Sequence, residues 1–411
     1  MTKQKTQIKL VLLFGICLSA FNSYGQDLQT LIEDAISNNP GIQKFDLQYK
    51  IATEKVNEAN SLPNTDFNFG VMAISPEMEM PMERFNVSVM QTLPWFGTIS
   101  AREDYAASMA DTQFVEVTIA KRKLALSVSD LFYQLYEIKA IQEVLNENIA
   151  LLQTYERLAL TSVEVGRASA VDVLRLQIRQ NELKQEIAVL IQKNKGLQAA
   201  MNSLLNRDYD NEVSVVPALE IPVNDNYYSY ENLSVNPELL KYDKLYQSIE
   251  QSELVNQKES GPMVGLGLEY INQDNSPMIT SPYKDMIMPM VSFSIPVFNN
   301  KYKSQTKQNE LRKLEIKSQK NERLNSLKAK LSKAISQRNE SRIKYSTQEK
   351  NLKRAKDAEE ILIKNYETGT IDFDDVLDIQ ELQLRFQMDK IASIRNYYEQ
   401  SAIINYLVSA L

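Results

Sequence analysis

The sequence predicts a mainly α-helical protein with a small β part, built as a tandem repeat. Three observations predict it. Glycine and proline number only 11 and 13 in 411 residues, which favours long unbroken elements, because those two residues are what interrupt them. Residues 98–164 and 301–366 hold no proline and place apolar residues at steps of three and four, the pattern of helices packed along a seam. Four shorter segments alternate apolar and polar side chains, the period-two signature of a strand with one apolar face.

The repeat is read from four paired landmarks. Asn39-Pro40 and Asn236-Pro237 open helical stretches, and Pro63 and Pro262 precede strands. Leu93-Pro94-Trp95-Phe96 and Ile295-Pro296-Val297-Phe298 end strands. Gly166-Arg-Ala-Ser-Ala-Val-Asp-Val-Leu174 and Gly369-Thr-Ile-Asp-Phe-Asp-Asp-Val-Leu377 interrupt long helical regions. The pairs keep one order and lie 197, 199, 202 and 203 residues apart. Order and near-constant offset together indicate an internal duplication.

Taken along the chain, residues 1–25 read as a secretory signal peptide. Lys3, Lys5 and Lys9 precede the apolar run Leu10–Ala20, and Ser23-Tyr24-Gly25 supplies small residues at a cleavage site. Cleavage there removes Cys17, the sole cysteine, and three lysines, so the charge goes from −7 to −10. Ile16, just before Cys17, is not the small residue expected ahead of a lipidated cysteine. The first repeat is expected over 26–206, with strands about 64–94 and a helical hairpin about 98–206. A connector follows at 207–234. The second repeat is expected over 235–411, with strands about 262–298 and a hairpin about 301–411.

Each hairpin has a heptad-like seam. Leu124, Val128, Leu131, Leu135, Ile138, Leu145, Ile149 and Leu152 mark the first outgoing helix. Leu176, Leu183, Leu190, Leu197 and Leu204 mark its return at intervals of seven. Leu324, Leu327, Leu331, Ala334, Tyr345, Leu352, Ala355, Leu362 and Tyr366 continue the theme. At 1.5 Å per residue each rod reaches roughly 100 Å. Gly166 and Gly369 are the turns, since glycine accepts the positive φ of a helix C-terminus.

The strands alternate cleanly. Phe67, Phe69, Val71 and Ala73 form one apolar row, and Phe85, Val87 and Val89 a second. Val264, Leu266, Leu268 and Tyr270 form a third, and Val291, Phe293, Ile295 and Val297 a fourth. Eight to ten residues is also the length of a membrane-spanning strand. Four strands cannot close a barrel, and an open sheet edge is not tolerated in lipid. Three chains pooling their strands would supply twelve. The apolar seams of the hairpins have the same need for partners. A cyclic oligomer, at least a trimer, with a shared β-barrel and a shared helical tube satisfies both.

Composition also excludes. With no histidine and one cysteine, the usual neutral-pH base, ordinary nucleophile triads and HExxH metal sites are absent. There is no phosphate-binding loop, so the expectation is a non-enzyme without a cofactor. A net charge of −7 offers no cationic surplus for nucleic acid.

The ordered, duplicated set of signal peptide, Asn-Pro helix openings, Pro-x-Phe strand exits and glycine-marked tips (Val165-Gly166-Arg167 and Tyr366-Glu367-Thr368-Gly369, each followed by Asp-Val-Leu) resembles the TolC-type outer-membrane efflux proteins, across essentially the whole mature chain. The resemblance implies a homotrimer with a twelve-stranded outer-membrane barrel and an α-helical periplasmic tunnel. It implies passive conduction of substrate delivered by an inner-membrane pump through a periplasmic adaptor protein. It orients loops 75–84 and 272–286 outward and puts Gly166 and Gly369 at the periplasmic tips where the adaptor docks. The lipid-attachment cysteine of some members is missing. The alternatives are a periplasmic coiled-coil adaptor or structural protein, or a duct for drugs or secreted protein.

Three groups of residues are candidates for function. At the tips stand Arg167, Asp172, Asp372, Asp374 and Asp375. Repeated around an axis, their carboxylates would form a cation-attracting gate; alternatively they cap helix starts, as Ser169-Ala-Val-Asp172 and Asp372-Phe-Asp-Asp375 suggest. Trp95 and Phe96 suit an interfacial aromatic belt or a wedge at the strand-to-helix corner. Ten of the 14 methionines fall in 72–90 and 263–290, with matching patches Met78, Met80, Met82 and Met286, Met288, Met290. Thioethers are soft ligands for copper(I) or silver(I). With the segment Gln91-Thr-Leu-Pro-Trp-Phe-Gly97, these patches resemble the heavy-metal branch of the family. The competing reading is methionine as filler of irregular apolar surface.

Overall fold

The computed structural model describes residues 27–409 apart from 72–81, 167–168, 216–217, 275–284, 369 and 372. Two short helices, α1 (Leu28–Asn38) and α2 (Pro40–Ala59), lead into strands β1 (Thr65–Val71) and β2 (Met82–Leu93). A 67-residue helix α3 (Thr98–Glu164) and a 36-residue helix α4 (Ala170–Leu205) follow. After the connector, a 3₁₀ turn (Tyr230–Val235) leads to α5 (Pro237–Glu259), β3 (Met263–Asp274) and β4 (Asp285–Ser294). A second 67-residue helix, α6 (Lys301–Glu367), and a second 36-residue helix, α7 (Phe373–Val408), complete the chain. No described helix is long and apolar enough to cross a membrane.

The chain divides into two compact units, and α3 and α6 contribute residues to both. One unit comprises Gln43–Ala120 and Val235–Ser326. Its sheet is antiparallel, in the order β1-β2-β3-β4. The register sorts the side chains by face, because residues directly paired across strands share a face. Phe67 pairs with Val89, Val89 with Leu268 and Leu268 with Pro289. Phe69, Val87, Tyr270 and Ile287 form the next rung, and Leu93, Val264 and Phe293 another. An aromatic line crosses this face, with Phe85 centred 6.4 Å from Phe69 and 5.9 Å from Tyr270. Among the described residues nothing covers it: Phe67 is 76% exposed and Phe293 69%. The helices of this unit are joined through polar contacts. Arg102 of α3 pairs with Glu259 of α5 at 2.8 Å. Glu253 of α5 accepts from Thr306 and Asn309 of α6, both at 2.8 Å.

The other unit runs through Ile42, then Lys121–Ser234 and from Leu327 on. Its core follows the predicted seams: Val128, Leu135, Ile138, Leu145, Leu152, Leu176, Leu183, Leu327, Leu331 and Ala334 are buried. The intervals of seven in α4 fit only in part. Leu190 and Leu197 are half-buried, and the buried line shifts to Met201 and Leu205 near the end. A straight helix with 3.6 residues per turn drifts about 20° per heptad, so a strict seven-residue row rotates out of the seam.

The connector is strapped down, not loose. Tyr398 donates to the carbonyl of Glu220 at 2.6 Å, and the Arg342 guanidinium to that of Pro222 at 2.5 Å. The Asp225 carboxylate accepts from Arg342 at 2.6 Å and from the Tyr397 hydroxyl. Burial alone would raise the Asp225 pKa, but these bonds and the Arg338 charge hold it below the usual carboxylate value. Burial and the Asp225 bond push Tyr397 up to about 12.

Candidate functional site

Two places hold the candidate residues, and each is built by a different local rule. At the end of the helical hairpins, α3 stops at Gly166, which adopts φ 71°. Its N–H donates back to the Val163 carbonyl at 3.0 Å. The return helix α4 starts on a cap. Ser169 Oγ accepts from the Val171 N–H at 3.1 Å, and the Ser169 N–H donates to Asp172 at 3.3 Å. Asp172 is thus engaged in its own helix start, where the helix dipole also favours a carboxylate. Asp374 and Asp375 are exposed in the first turn of α7. Asp374 forms an ion pair with Arg175 of α4. Arg167, Gly369 and Asp372 lie outside the described residues.

Beside this pair a cleft of about 620 Å³ opens between α4 and α7, edged by Arg175, Arg179, Glu182, Asp374, Asp378 and Glu381. The tip is therefore of mixed charge. Asp374 is met by Arg175, and Glu182 and Glu381 by Arg179, two arginines that the sequence reading did not single out.

Just behind the tip each hairpin has a carboxylate–amide clasp. In the first, Glu156 of α3 accepts from Gln177 at 2.7 Å and Gln180 at 2.8 Å, both on α4. These two bonds lower its pKa. In the second, Glu359 of α6 accepts from Gln380 at 3.3 Å and Gln383 at 2.7 Å, both on α7. Glu359 also takes a bond at 2.6 Å from the Tyr155 hydroxyl of α3, which links the two hairpins. Burial, then the bond to Glu359, raises the Tyr155 pKa. The sequence reading missed these residues. A signal was present: each member of the second clasp lies 203 residues after its counterpart, the offset that separates Gly166 from Gly369.

In the sheet, Trp95 and Phe96 follow β2, their rings 5.6 Å apart and edge to face. Phe96 is 83% exposed, whereas the Trp95 ring lies against Gly261, so close that a Cβ there would stand 3.1 Å from it. Gly97 turns the chain into α3 at φ 80°. Met286, Met288 and Met290 stand in β4 on the face opposite the apolar rows, with Met290 paired to Gly267 and Met288 to Glu269. Met78 and Met80 lie outside the described residues, as do residues 1–26, which hold the expected signal peptide, and most of the two strand-connecting loops. Among the described residues no cluster of three or more His, Cys, Asp or Glu forms a metal site.

No family model matches the sequence, and no curated protein does. Solved structures do match in fold. The outer membrane protein VceC from Vibrio cholerae superposes with a TM-score of 0.74 at 15% identity, covering 93% of this chain and 95% of its own. CusC, described in terms of transmembrane channel formation, gives 0.76 at 12% identity, covering 95% and 94%. The MtrE outer membrane channel of Neisseria gonorrhoeae, solved in its open state, gives 0.72 at 14% identity, covering 93% and 88%. The fold of this chain is thus one found in outer-membrane channels, matched over nearly its full length.

Proposed function

We propose that the chain is the outer-membrane channel of a tripartite efflux system and passively conducts substrate from an inner-membrane pump and a periplasmic adaptor to the outside. One observation carries the reading. Among the described residues, every apolar row of the four-stranded sheet lies on a single, uncovered face, and β1 and β4 are left as open edges. Lipid is the medium that tolerates such a face, and it forbids such edges. Three copies joined edge to edge resolve both, as a twelve-stranded barrel. The helices supply the periplasmic tunnel. Val171, Leu174 and Ile178 of α4, exposed in the single chain, suit packing against a neighbouring copy. Gly166 and Gly369 mark the ends that meet the adaptor, and Arg167, Asp172, Asp372, Asp374 and Asp375 line the approach. Trp95 and Phe96 belong to an interfacial belt. The cargo proposed is a heavy-metal ion such as copper or silver, on the strength of the methionine-rich strands.

Fractionation of cells expressing the chain, followed by electrophoresis with and without heating, tests this. A heat-modifiable trimer in the outer membrane is expected. A soluble periplasmic monomer would overturn the reading.

A further inference from the structure

Five strand methionines are sorted to one face. Met90, Met263, Met286, Met288 and Met290 all stand opposite the rows of Phe67, Val89, Leu268 and Val291. Their neighbours on that face are Asn86, Ser88, Thr92, Glu269 and Ser292, with Ile271, buried and paired to Met286, as the apolar exception. Methionine as filler belongs among apolar side chains; Met90, Met288 and Met290 stand instead among glycines, amides, hydroxyls and a carboxylate.

Met90 is also seated. A Cβ at Gly267 would lie 3.0 Å from its sulfur and 2.9 Å from its methyl carbon, and one at Gly265 would lie 3.2 Å from the sulfur. The two glycines of β3 therefore leave a floor over which the thioether of β2 leans towards β4. There Met290 pairs with the same Gly267. From Met290, Met288 and Met286 follow at every second position of β4, about 6.8 Å apart in an extended strand.

We propose that this face binds a soft monovalent cation, copper(I) or silver(I). Met90 and Met290 form the first pair, across Gly267, and Met288 and Met286 the next stations along β4. Thioether sulfur is a soft donor that selects such ions over magnesium, calcium or potassium. It is also uncharged, so it holds the ion without trapping it, as conduction requires. Glu269, whose carboxylate accepts from Asn86 at 3.0 Å, pairs directly with Met288 and supplies negative charge beside the track. What the site is for rests on the channel reading; the binding itself does not.

The test is copper(I) titration of the full chain in detergent against a chromogenic copper(I) chelator, in a Cys17→Ala background that leaves thioethers as the sulfur donors. The background protein should hold copper(I). Met90→Leu with Met290→Leu preserves side-chain volume and should weaken binding by at least the roughly 10-fold that loss of an outer-shell partner costs. Gly265→Ala, whose Cβ would meet the Met90 sulfur and the Ser292 side chain and not strand backbone, should weaken it with every thioether still present. Met388→Leu, in α7, should leave it unchanged. Absence of copper(I) binding in the background protein, or equal binding by the double variant, overturns the proposal. Potassium chloride conductance in planar bilayers separates this from the channel reading. A protein that conducts but holds no copper(I) loses the site and keeps the channel. One that holds copper(I) through Met90 and Met290 without conducting keeps the site and loses the channel.

Discussion

The two helical hairpins match in length and differ in how they are tied. Their outgoing helices are both 67 residues and their return helices both 36. Both close behind the tip with one glutamate and two glutamines. They differ in which positions take part in the bonds between them. Where α4 begins with the exposed Ala170, α7 begins with Phe373, buried against Tyr155 at 6.0 Å and Tyr366 at 4.8 Å. Glu156 takes two donors from its own hairpin, whereas Glu359 takes two from its own and one from Tyr155. Asp172 caps its helix, whereas Asp374 crosses to Arg175. The two clasps are thus alike in build, but only the second is also tied, through Tyr155, to the other hairpin.

Erasing the largest of these differences should have the largest effect. Phe373→Ala makes the second tip resemble the first and empties a buried ring site, at a cost of about 3–5 kcal/mol. Loss of the helical circular-dichroism signal on heating in detergent should fall accordingly, while Ala170→Gly at the exposed counterpart should shift it far less.

The clasps come next. Glu359→Gln weakens three hydrogen bonds to a charged acceptor and Glu156→Gln two, at about 1–3 kcal/mol per charge-assisted bond before relaxation. The Glu359 variant should therefore melt lower. The clasps also predict a pH effect. The folded pKa of Glu156 lies below the ordinary glutamate value of 4.5, so the folded state binds fewer protons there than the unfolded one. Its contribution is fully present above about 4.5 and is lost as pH falls through the lowered value. Glu156→Gln should flatten that part of the acid-melting curve, measured between pH 6 and pH 3. An unchanged curve would show that the clasp is not what titrates.

The smallest effect belongs to the exposed tip pair. Arg175→Ala should change stability by no more than about 1 kcal/mol, and less at high salt, because solvent screens a pair with side chains 48% and 53% exposed. Its readout is conductance. Under the proposed channel function, Asp374 freed from Arg175 should raise the preference for cations in reversal-potential measurements, and Asp374→Asn should remove that gain.

The sequence by itself determined a mainly helical chain, four short strands and a glycine turn at Gly166. Each rests on local rules: period of two or three-and-a-half, proline at starts, glycine where φ must be positive. It marked Phe67, Leu176 and Leu331 as apolar-face or seam residues from spacing alone. What it left open is what local rules do not reach. Which acids at the tip are engaged depends on Arg175 meeting Asp374 across 199 residues of chain, and no periodicity encodes that approach. The clasp of Tyr155 on Glu359 likewise exists only where two hairpins pack. The methionines were legible as a cluster, but the side of the sheet they occupy depends on strand register. A shift by one residue would have turned them to the apolar face. Register is settled by pairing across the whole sheet, and so the tertiary structure decided whether those sulfurs stand among apolar rings or among amides and hydroxyls.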